Sequence, residues 1–343
     1  MGSSPSFGAF AVRRLALLLP QLFVVVTAAF VLIRLVPGDP AANFLGGSAT
    51  QEAVDQLRVK FGIDQSILSQ YGEFLSGLAH GDLGTSWRTS QAVTQDIGDR
   101  FPVTFQLITL TMAFSLLIAV PGGIMVAALG RGRRSRAGRA VSRGYGLLAG
   151  AMPEFWLGLL LILVFFVALG VAPGPFGLLD SDVAPPQSIT GFVLVDALLT
   201  GNLSAFSSAA AHLALPVITL TFVTAAPLLR MTAGEMRQAL GSDYVRFARA
   251  MGLSKGRVYR YALQSTAAPI LTLAGVQYAV LVGGAVLIER IFSLGGFGQY
   301  GVEAVLASDY PAVLGFVTVA GTLAFVIYLV LDLVQGALDP RVR

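Results

Sequence analysis

Long apolar runs separated by polar and basic stretches make up most of this chain. Six of these runs reach about 20 residues or more, the length that a helix needs to cross the hydrocarbon layer of a membrane. The predicted spans are 10–36, 104–129, 145–170, 213–233, 267–289 and 311–335. The apolar stretch 15–35 is too long for the core of a typical signal peptide, so we interpret it as a retained span. The pattern predicts an all-α polytopic membrane protein with a single transmembrane domain over residues 1–343.

Positive charges are concentrated on alternate connections between these spans. Of the 23 lysines and arginines, 17 lie near the two chain ends, in residues 131–143 or in residues 230–260. Short loops rich in Lys and Arg remain on the cytoplasmic side of a membrane. We therefore expect both termini, which an even number of spans places on one side, to face the cytoplasm.

The largest connection, residues 37–103, falls by the same rule on the outer, extracytoplasmic side. Within it two series of apolar residues recur at helical spacing: Val54, Leu57 and Phe61, then Ile67, Tyr71, Phe74, Leu75 and Leu78. Gly62 and Asp64 separate the two series as a break and a cap. The spacing predicts short amphipathic helices in the outer loop, which either form a lid on the span ends or contact a partner.

The composition agrees with a membrane protein and excludes several kinds of chemistry. Charged residues are 12% of the chain and the mean hydropathy is +0.74, whereas soluble domains carry about 25% charged residues. There is no cysteine, so disulfides and thiolate metal sites are excluded. Neither lysine follows a glycine, which excludes the P-loop of an ATPase, and no G-x-S-x-G or H-E-x-x-H motif occurs. The sequence predicts a chain with no catalytic residue, metal or cofactor of its own.

Charged residues within the predicted spans are candidates for a role in transport. Four of the five lie near span ends, where a charge can reach the membrane interface: Arg34, Arg230, Glu289 and Asp332. Glu154, in "AMPEFWLG", lies well inside the third span. Its carboxylate either takes part in transport or has a structural place at a wet cavity or at a kink after Pro153. A stand-alone secondary transporter and a membrane-embedded enzyme remain alternatives at this point.

A basic segment between two spans, "DYVRFARAMGLSKGRVYRYALQ" at 243–264, predicts a helix, a turn and a second helix that leads into the fifth span. Its first helix carries an apolar stripe at helical spacing: Tyr244, Phe247, Ala248 and Met251. Gly252 is placed to end that helix in the left-handed conformation, and Ser254 to cap the next one. The stripe has three interpretations: a helix lying on the inner leaflet, an inert solvated loop, or a helix that docks into a groove of a cytoplasmic protein.

This segment, with Glu235 before it and Pro269 after it, resembles the EAA loop of membrane subunits of binding-protein-dependent ABC importers. Other stretches resemble the first permease subunit of the dipeptide/oligopeptide branch: "VPGDPA" at 36–41, "GDLGTSWRTSQAVTQDIGDRFPVTFQL" at 81–107, "HLALPVITL" at 212–220, "ERIFSLGGFGQ" at 289–299 and "LDPRVR" at 338–343. They cover almost the whole chain in the right order. The chain departs from the family pattern at Tyr261, Gln264 and Ser265, where the family has His, Arg and Asn, and at Gly295-Gly296, where it has Pro-Gly.

The resemblance implies a type I ABC importer permease fold in the bacterial inner membrane. The implied partners are a second homologous permease subunit in a heterodimer, two ABC ATPase subunits or one fused ATPase, an extracytoplasmic substrate-binding protein and membrane lipid, with no nucleic acid. ATP and Mg would be bound by the ATPase subunits. Peptides are the substrates that the resemblance favours, with nickel chelates, glutathione and haem as alternatives.

The resemblance also implies site residues. Coupling to the ATPase is expected in the cytoplasmic loop 234–266, at Glu235, Asp243, Tyr244, Arg246, Phe247, Ala248, Arg249, Ala250, Met251, Gly252 and Leu253. The loop between the last two spans either reaches into the binding protein to release substrate or forms an ordinary reverse turn. Its residues are Phe292, Ser293, Leu294, Gly295, Gly296, Phe297 and Gly298.

Overall fold

A computed structural model of the chain describes residues 7–35, 39–45, 50–129 and 133–338. These residues form helices and no β-sheet. The helices are α1 (Phe7–Leu35), α2 (Pro40–Leu45), α3 (Gln51–Lys60), α4 (Ile67–Ala79), α5 (Val93–Ala128), α6 (Arg133–Ala151), α7 (Glu154–Leu161, continued as a π-helix over Ile162–Ala168), α8 (Val193–Leu199), α9 (Leu203–Leu240), α10 (Asp243–Ala250), α11 (Lys255–Ile291), α12 (Phe297–Leu306) and α13 (Tyr310–Leu338). Within the described ranges five helices are long and apolar enough to span a membrane, namely α1, α5, α9, α11 and α13. The predicted all-α membrane fold is confirmed.

The third predicted span is not one straight helix. Helix α6 ends at Ala151 and α7 begins at Glu154, and the two axes differ by 101°. Pro153 explains the break, because it has no N–H to donate and disfavours helical backbone at the residue before it. Together α6 and α7 are long and apolar enough to count as a sixth, broken span.

The remaining long helices extend beyond the apolar runs that identified them. Helix α5 begins at Val93, eleven residues before the predicted span and inside the region assigned to the outer loop. Val93 and Ile97 in this extension pack against Phe297 and Tyr300 of α12, so burial continues past the hydrophobic run. Hydropathy therefore located each span but underestimated the helix that contains it.

The outer helices are present where the apolar spacing predicted them, as α3 and α4. Gly62 interrupts the helical backbone between them, with a φ of +65°. Ser66, rather than Asp64, caps α4, because its Oγ accepts a hydrogen bond from the backbone N of Ser69 at 3.2 Å. Helix α4 packs on α1, where the Tyr71 hydroxyl lies 2.6 Å from Thr27 Oγ1. This packing on a span end fits a lid.

The core of the molecule is built around α9, which packs against α5, α11, α7 and α6. Its central side chains, including Leu213, Leu220 and Leu228, are buried. A Cβ added at Gly123 of α5 would lie 2.6 Å from Thr232 Cβ of α9, so glycine allows these two backbones to approach closely. Helices α1 and α13 lie at the periphery, and few of their apolar residues are fully buried. Their exposed surface is available for lipid or for another membrane subunit.

Candidate functional site

Helix α10 forms because its sequence supplies both of its ends. Asp243 lies in the first turn and Arg249 in the last, each favourable to the helix dipole. After the helix, Gly252 adopts a φ of +77°. The N–H of Leu253 then donates to the carbonyl of Ala248 at 3.2 Å, and the N–H of Gly252 donates to that of Arg249 at 3.0 Å. This pair of bonds is the Schellman ending, so the prediction that Gly252 ends the helix in the left-handed conformation is confirmed.

One side of α10 fixes it to the body of the protein. Val245 is fully buried. The Tyr244 hydroxyl lies 2.6 Å from Ser265 Oγ on α11, and Ser242 Oγ donates to the carbonyl of Ala239 on α9 at 2.6 Å. The helix is therefore attached to the end of α9 and to the start of α11.

The second helix of the basic segment is the beginning of the fifth spanning helix. Helix α11 runs without a break from Lys255 to Ile291. Ser254 occupies the N-cap position, although its side chain makes no capping hydrogen bond. The basic segment is therefore continuous with a membrane-spanning helix.

The exposed surface of α10 includes an apolar patch, which we call the α10 knob and define as Tyr244, Phe247 and Met251; Tyr244 also joins this patch to α11. Their exposed fractions are 45%, 67% and 66%. Ala248 is partly buried beside them. The arginines of the helix flank the knob, and Arg246 forms an ion pair with Asp243. Apolar side chains with a basic rim are the arrangement that a helix uses to enter a groove of a partner.

The remaining predicted coupling residues are distributed unevenly around the knob. Arg249, Ala250 and Gly252 are exposed, and Leu253 is partly buried. Glu235 lies apart from them on α9, where it is partly buried, and no ion pair joins it to α10 among the described residues. The knob and the turn after it form one surface, to which Glu235 does not contribute directly.

The structure places most of the predicted release loop inside the protein. Five of its seven residues are buried: Phe292, Leu294, Gly296, Phe297 and Gly298. Ser293 and Gly295 are the exposed ones, with φ of 52° and 71°. The segment forms a tight turn between α11 and α12 and offers a partner only these two residues and the surface around them.

Glu289 organises this turn, and its position corrects the expectation that its charge reaches the membrane interface. It is fully buried at the end of α11. Its Oε1 accepts a hydrogen bond from Thr104 Oγ1 of α5, and its Oε2 accepts one from the backbone N of Gln299 at 2.9 Å. The N–H of Gly298 also donates to it. The carboxylate thus caps the N-terminus of α12, where Gly296 has no side chain to do so.

Thr104 completes this junction of three helices. The backbone N of Phe297 donates to Thr104 Oγ1 at 2.8 Å. A Cβ added at Gly296 would lie 2.5 Å from Glu289 Oε2, so glycine is needed for the turn to approach the carboxylate. Sequence reasoning missed this site because Thr104 and Glu289 lie far apart in the chain. The sequence feature that pointed to this region was the "ERIFSLGGFGQ" stretch as a whole.

Another carboxylate near this junction, Glu303 on α12, lies among three arginines. Its Oε2 is 2.7 Å from Arg88 and 3.9 Å from Arg100, and its Oε1 is 3.4 Å from Arg290. Burial raises the pKa of Glu303, but the hydrogen bond from Gln299 and the charge of Arg88 outweigh it, so its pKa lies below the usual value. This network ties α12 to the segment before α5 and to the end of α11.

Glu154 lies at the first turn of α7, directly after the break in the third span. It faces α11, where a Cβ added at Gly284 would be 3.0 Å from its Oε2. The glycine therefore leaves room for the carboxylate between the broken span and the long helix. It belongs neither to the α10 knob nor to the Glu289 junction.

Comparison with known proteins identifies the family. The model of "Binding-protein-dependent transport system inner membrane component" matches residues 119–343, and that of the N-terminal part of such membrane components matches residues 8–109. A probable D,D-dipeptide transport system permease protein of Escherichia coli (strain K12) is 38% identical, covering 91% of each chain. A di/tripeptide transport system permease protein of Pseudomonas aeruginosa (strain UCBPP-PA14) is 38% identical over 97% of this chain and 98% of its own.

A third relative, a dipeptide transport system permease protein of Alkalihalophilus pseudofirmus, is 36% identical over 98% of this chain and 99% of its own. The family description, together with the spanning helices, places the chain in the cytoplasmic membrane as a multi-pass component. It also implies a binding protein and an ATPase as partner components. The chain therefore belongs to the family of inner-membrane components of binding-protein-dependent transport systems, as a permease subunit of an ABC importer.

Proposed function

We propose that this permease subunit imports peptides and receives the force for transport through the α10 knob. In this proposal the knob sits in a groove of an ABC ATPase subunit on the cytoplasmic side, where both termini also lie. The observation that supports it most is the exposure of Phe247 and Met251 on a helix that is otherwise firmly attached. Large apolar side chains of this exposure, grouped on one face, are typical of a surface that a partner covers.

The path of the force follows from how α10 is attached. Movement of the knob would displace α11 through the Tyr244–Ser265 contact. Helix α11 has 37 residues and at 1.5 Å per residue is about 55 Å long. Its far end holds the Glu289 junction with α5 and α12. Closure of the ATPase dimer would thus move the cytoplasmic and outer ends of the permease together, as a rigid-body switch of access.

A second, homologous permease subunit would supply the other half of the pathway. The exposed apolar faces of α1 and α13 leave room for it or for lipid. The turn around Ser293 and Gly295 would then face the binding protein, and Glu154 would face the moving helix α11. The chain itself would bind no cofactor and catalyse no reaction, since ATP and Mg would be held by the ATPase subunits.

Peptides are the proposed substrate because the relatives above are described as dipeptide, D,D-dipeptide and di/tripeptide permeases. Each of them matches this chain over at least 91% of its length. Nickel chelates, glutathione and haem are the substrates against which the proposal has to be tested.

The complete importer, purified and placed in liposomes, provides the test. We expect uptake of a labelled dipeptide that requires ATP and the binding protein, and that excess unlabelled dipeptide abolishes. An excess of nickel chelate, glutathione or haem should leave uptake unchanged. Uptake driven by a proton gradient without ATP would instead identify a secondary transporter. Competition by a nickel chelate, glutathione or haem would identify that compound, rather than a dipeptide, as the substrate.

A further inference from the structure

A small cavity between α5, α6 and α9 is lined by four arginines. Its volume is about 170 Å³, and Arg139, Arg143, Arg230 and Arg237 surround it together with Ser142 and Gly234. No Asp or Glu is among its lining residues. On the α5 and α6 side the sequence explains this, because no acidic residue occurs between Asp99 and Glu154. Within the described part of the chain, no carboxylate forms an ion pair with Arg143, Arg230 or Arg237.

The fold brings these charges together in a fixed way. A Cβ added at Gly146 of α6 would lie 3.3 Å from Arg230 Cδ and 3.7 Å from its Nε, so the Arg230 stem crosses α6 where a glycine leaves space. Like charges that line one small cavity repel each other. Guanidinium groups converging on one cavity bind oxyanions such as phosphate by charge-assisted hydrogen bonds. The arrangement is therefore complementary to a single anionic group.

The cavity lies where the apolar part of these helices ends. On α6 the arginines precede the apolar end of the helix, where Leu147 and Leu148 are exposed. Arginines at such a boundary place their charges at the level of lipid headgroups while their stems stay in apolar surroundings. The anion that meets this cavity is thus one held at the membrane interface.

A larger apolar groove lies along the same three helices. Its volume is about 650 Å³, and its lining includes Ile118 of α5, Tyr145 of α6 and Phe222 of α9. Tyr145 follows Arg143 by two residues and donates from its hydroxyl to the carbonyl of Phe222 at 2.7 Å. Along α9, Phe222 precedes Arg230 by eight residues, which is about 12 Å of helix.

We propose that this site binds an anionic membrane phospholipid, with its phosphodiester among the arginines and an acyl chain in the apolar groove. An acidic surface of a cytoplasmic protein would explain the arginines but not the apolar groove beside them. Free phosphate would likewise need no groove. The combination of a basic cavity and an apolar extension at the interface favours the lipid.

This proposal is tested by equilibrating the complete importer with a mixture of phosphatidylglycerol and phosphatidylcholine. The lipids that remain bound are then measured by native mass spectrometry. The wild-type complex should retain phosphatidylglycerol in preference to phosphatidylcholine. Replacing two arginines, by R143Q together with R230Q, should lower the retained phosphatidylglycerol by about tenfold, since each basic residue near a membrane surface contributes appreciably to anionic lipid binding. The pair R143K and R230K, which keeps the charge, should retain it.

The matched control is R136Q, an exposed arginine on α6 that does not line the cavity. It should behave as wild type, and an equal loss in R136Q would overturn the proposal, as would unchanged retention in the double Gln variant.

Inorganic phosphate raising the unfolding temperature of the wild-type complex as much as phosphatidylglycerol does would assign the site to free phosphate. Loss of the ATPase from the Gln variant with unchanged lipid would assign it to a protein. If the Gln variant does not assemble, the wild-type complex decides: its unfolding temperature should rise with phosphatidylglycerol and not with phosphatidylcholine, and equal effects would overturn the proposal.

Discussion

Phe247→Asp is expected to separate this permease from its ATPase while leaving the permease folded. The side chain is 67% exposed, so replacing it removes little from the core of the chain. In an apolar groove, however, the new carboxylate would be buried without a partner. Residues at the centre of an interface cost about 2 kcal/mol or more when truncated, which corresponds to roughly 30-fold weaker binding. ATPase recovered with the purified permease should fall accordingly, and ATP-driven uptake should be lost.

The matched control is Leu68→Asp on α4, where an apolar side chain is 83% exposed far from α10 along the chain. It introduces the same charge at an exposed apolar position and should leave ATPase recovery unchanged. Equal recovery of the ATPase with wild type and with Phe247→Asp would contradict the assignment of the knob. Equal loss in both variants would show a general effect of the charge and would contradict it as well.

Glu289→Leu is expected to destabilise the end of the permease at which α11 meets α5 and α12. The leucine cannot accept the hydrogen bonds from Thr104 Oγ1 and from the backbone N of Gln299, so both donors are left buried without a partner. A buried donor without a partner costs about 1–3 kcal/mol. The variant complex should unfold at a clearly lower temperature than wild type in detergent, and uptake should fall.

Two further variants show whether the position of Glu289 matters, rather than the loss of any carboxylate. Glu289→Gln keeps an accepting oxygen and should destabilise less than the leucine. Glu303→Gln changes a carboxylate on the same end of the molecule that is partly exposed and paired with arginines, where ion pairs contribute little. An unfolding temperature for Glu289→Leu equal to that of wild type would show that the junction does not stabilise the fold.

Features that depend on neighbouring residues could be predicted from the sequence. The apolar runs located the spans because the hydrocarbon layer imposes a minimum length on any helix that crosses it. The α10 knob was predictable because its residues share one face of a short helix, and Gly252 because an αL ending favours glycine. The outer helices α3 and α4 followed from the same local periodicity.

Features that depend on distant residues could not be predicted in this way. The capping of α12 by Glu289 uses Thr104 of another helix, which local periodicity does not reveal. The cavity between α6 and α9 likewise requires knowing that Gly146 lies beneath Arg230. The break at Pro153 was visible as a possible kink, but its angle depends on how α7 packs against α9 and α11.

A photo-crosslinking amino acid at position 247, in the assembled importer in its membrane, tests the central claim most directly. The same amino acid at position 68 on α4 serves as the control. The account predicts that position 247 crosslinks to the ATPase subunit and that position 68 does not. A crosslink from position 247 to phospholipid, or no crosslink to the ATPase in a complex that hydrolyses ATP and transports peptide, would contradict it.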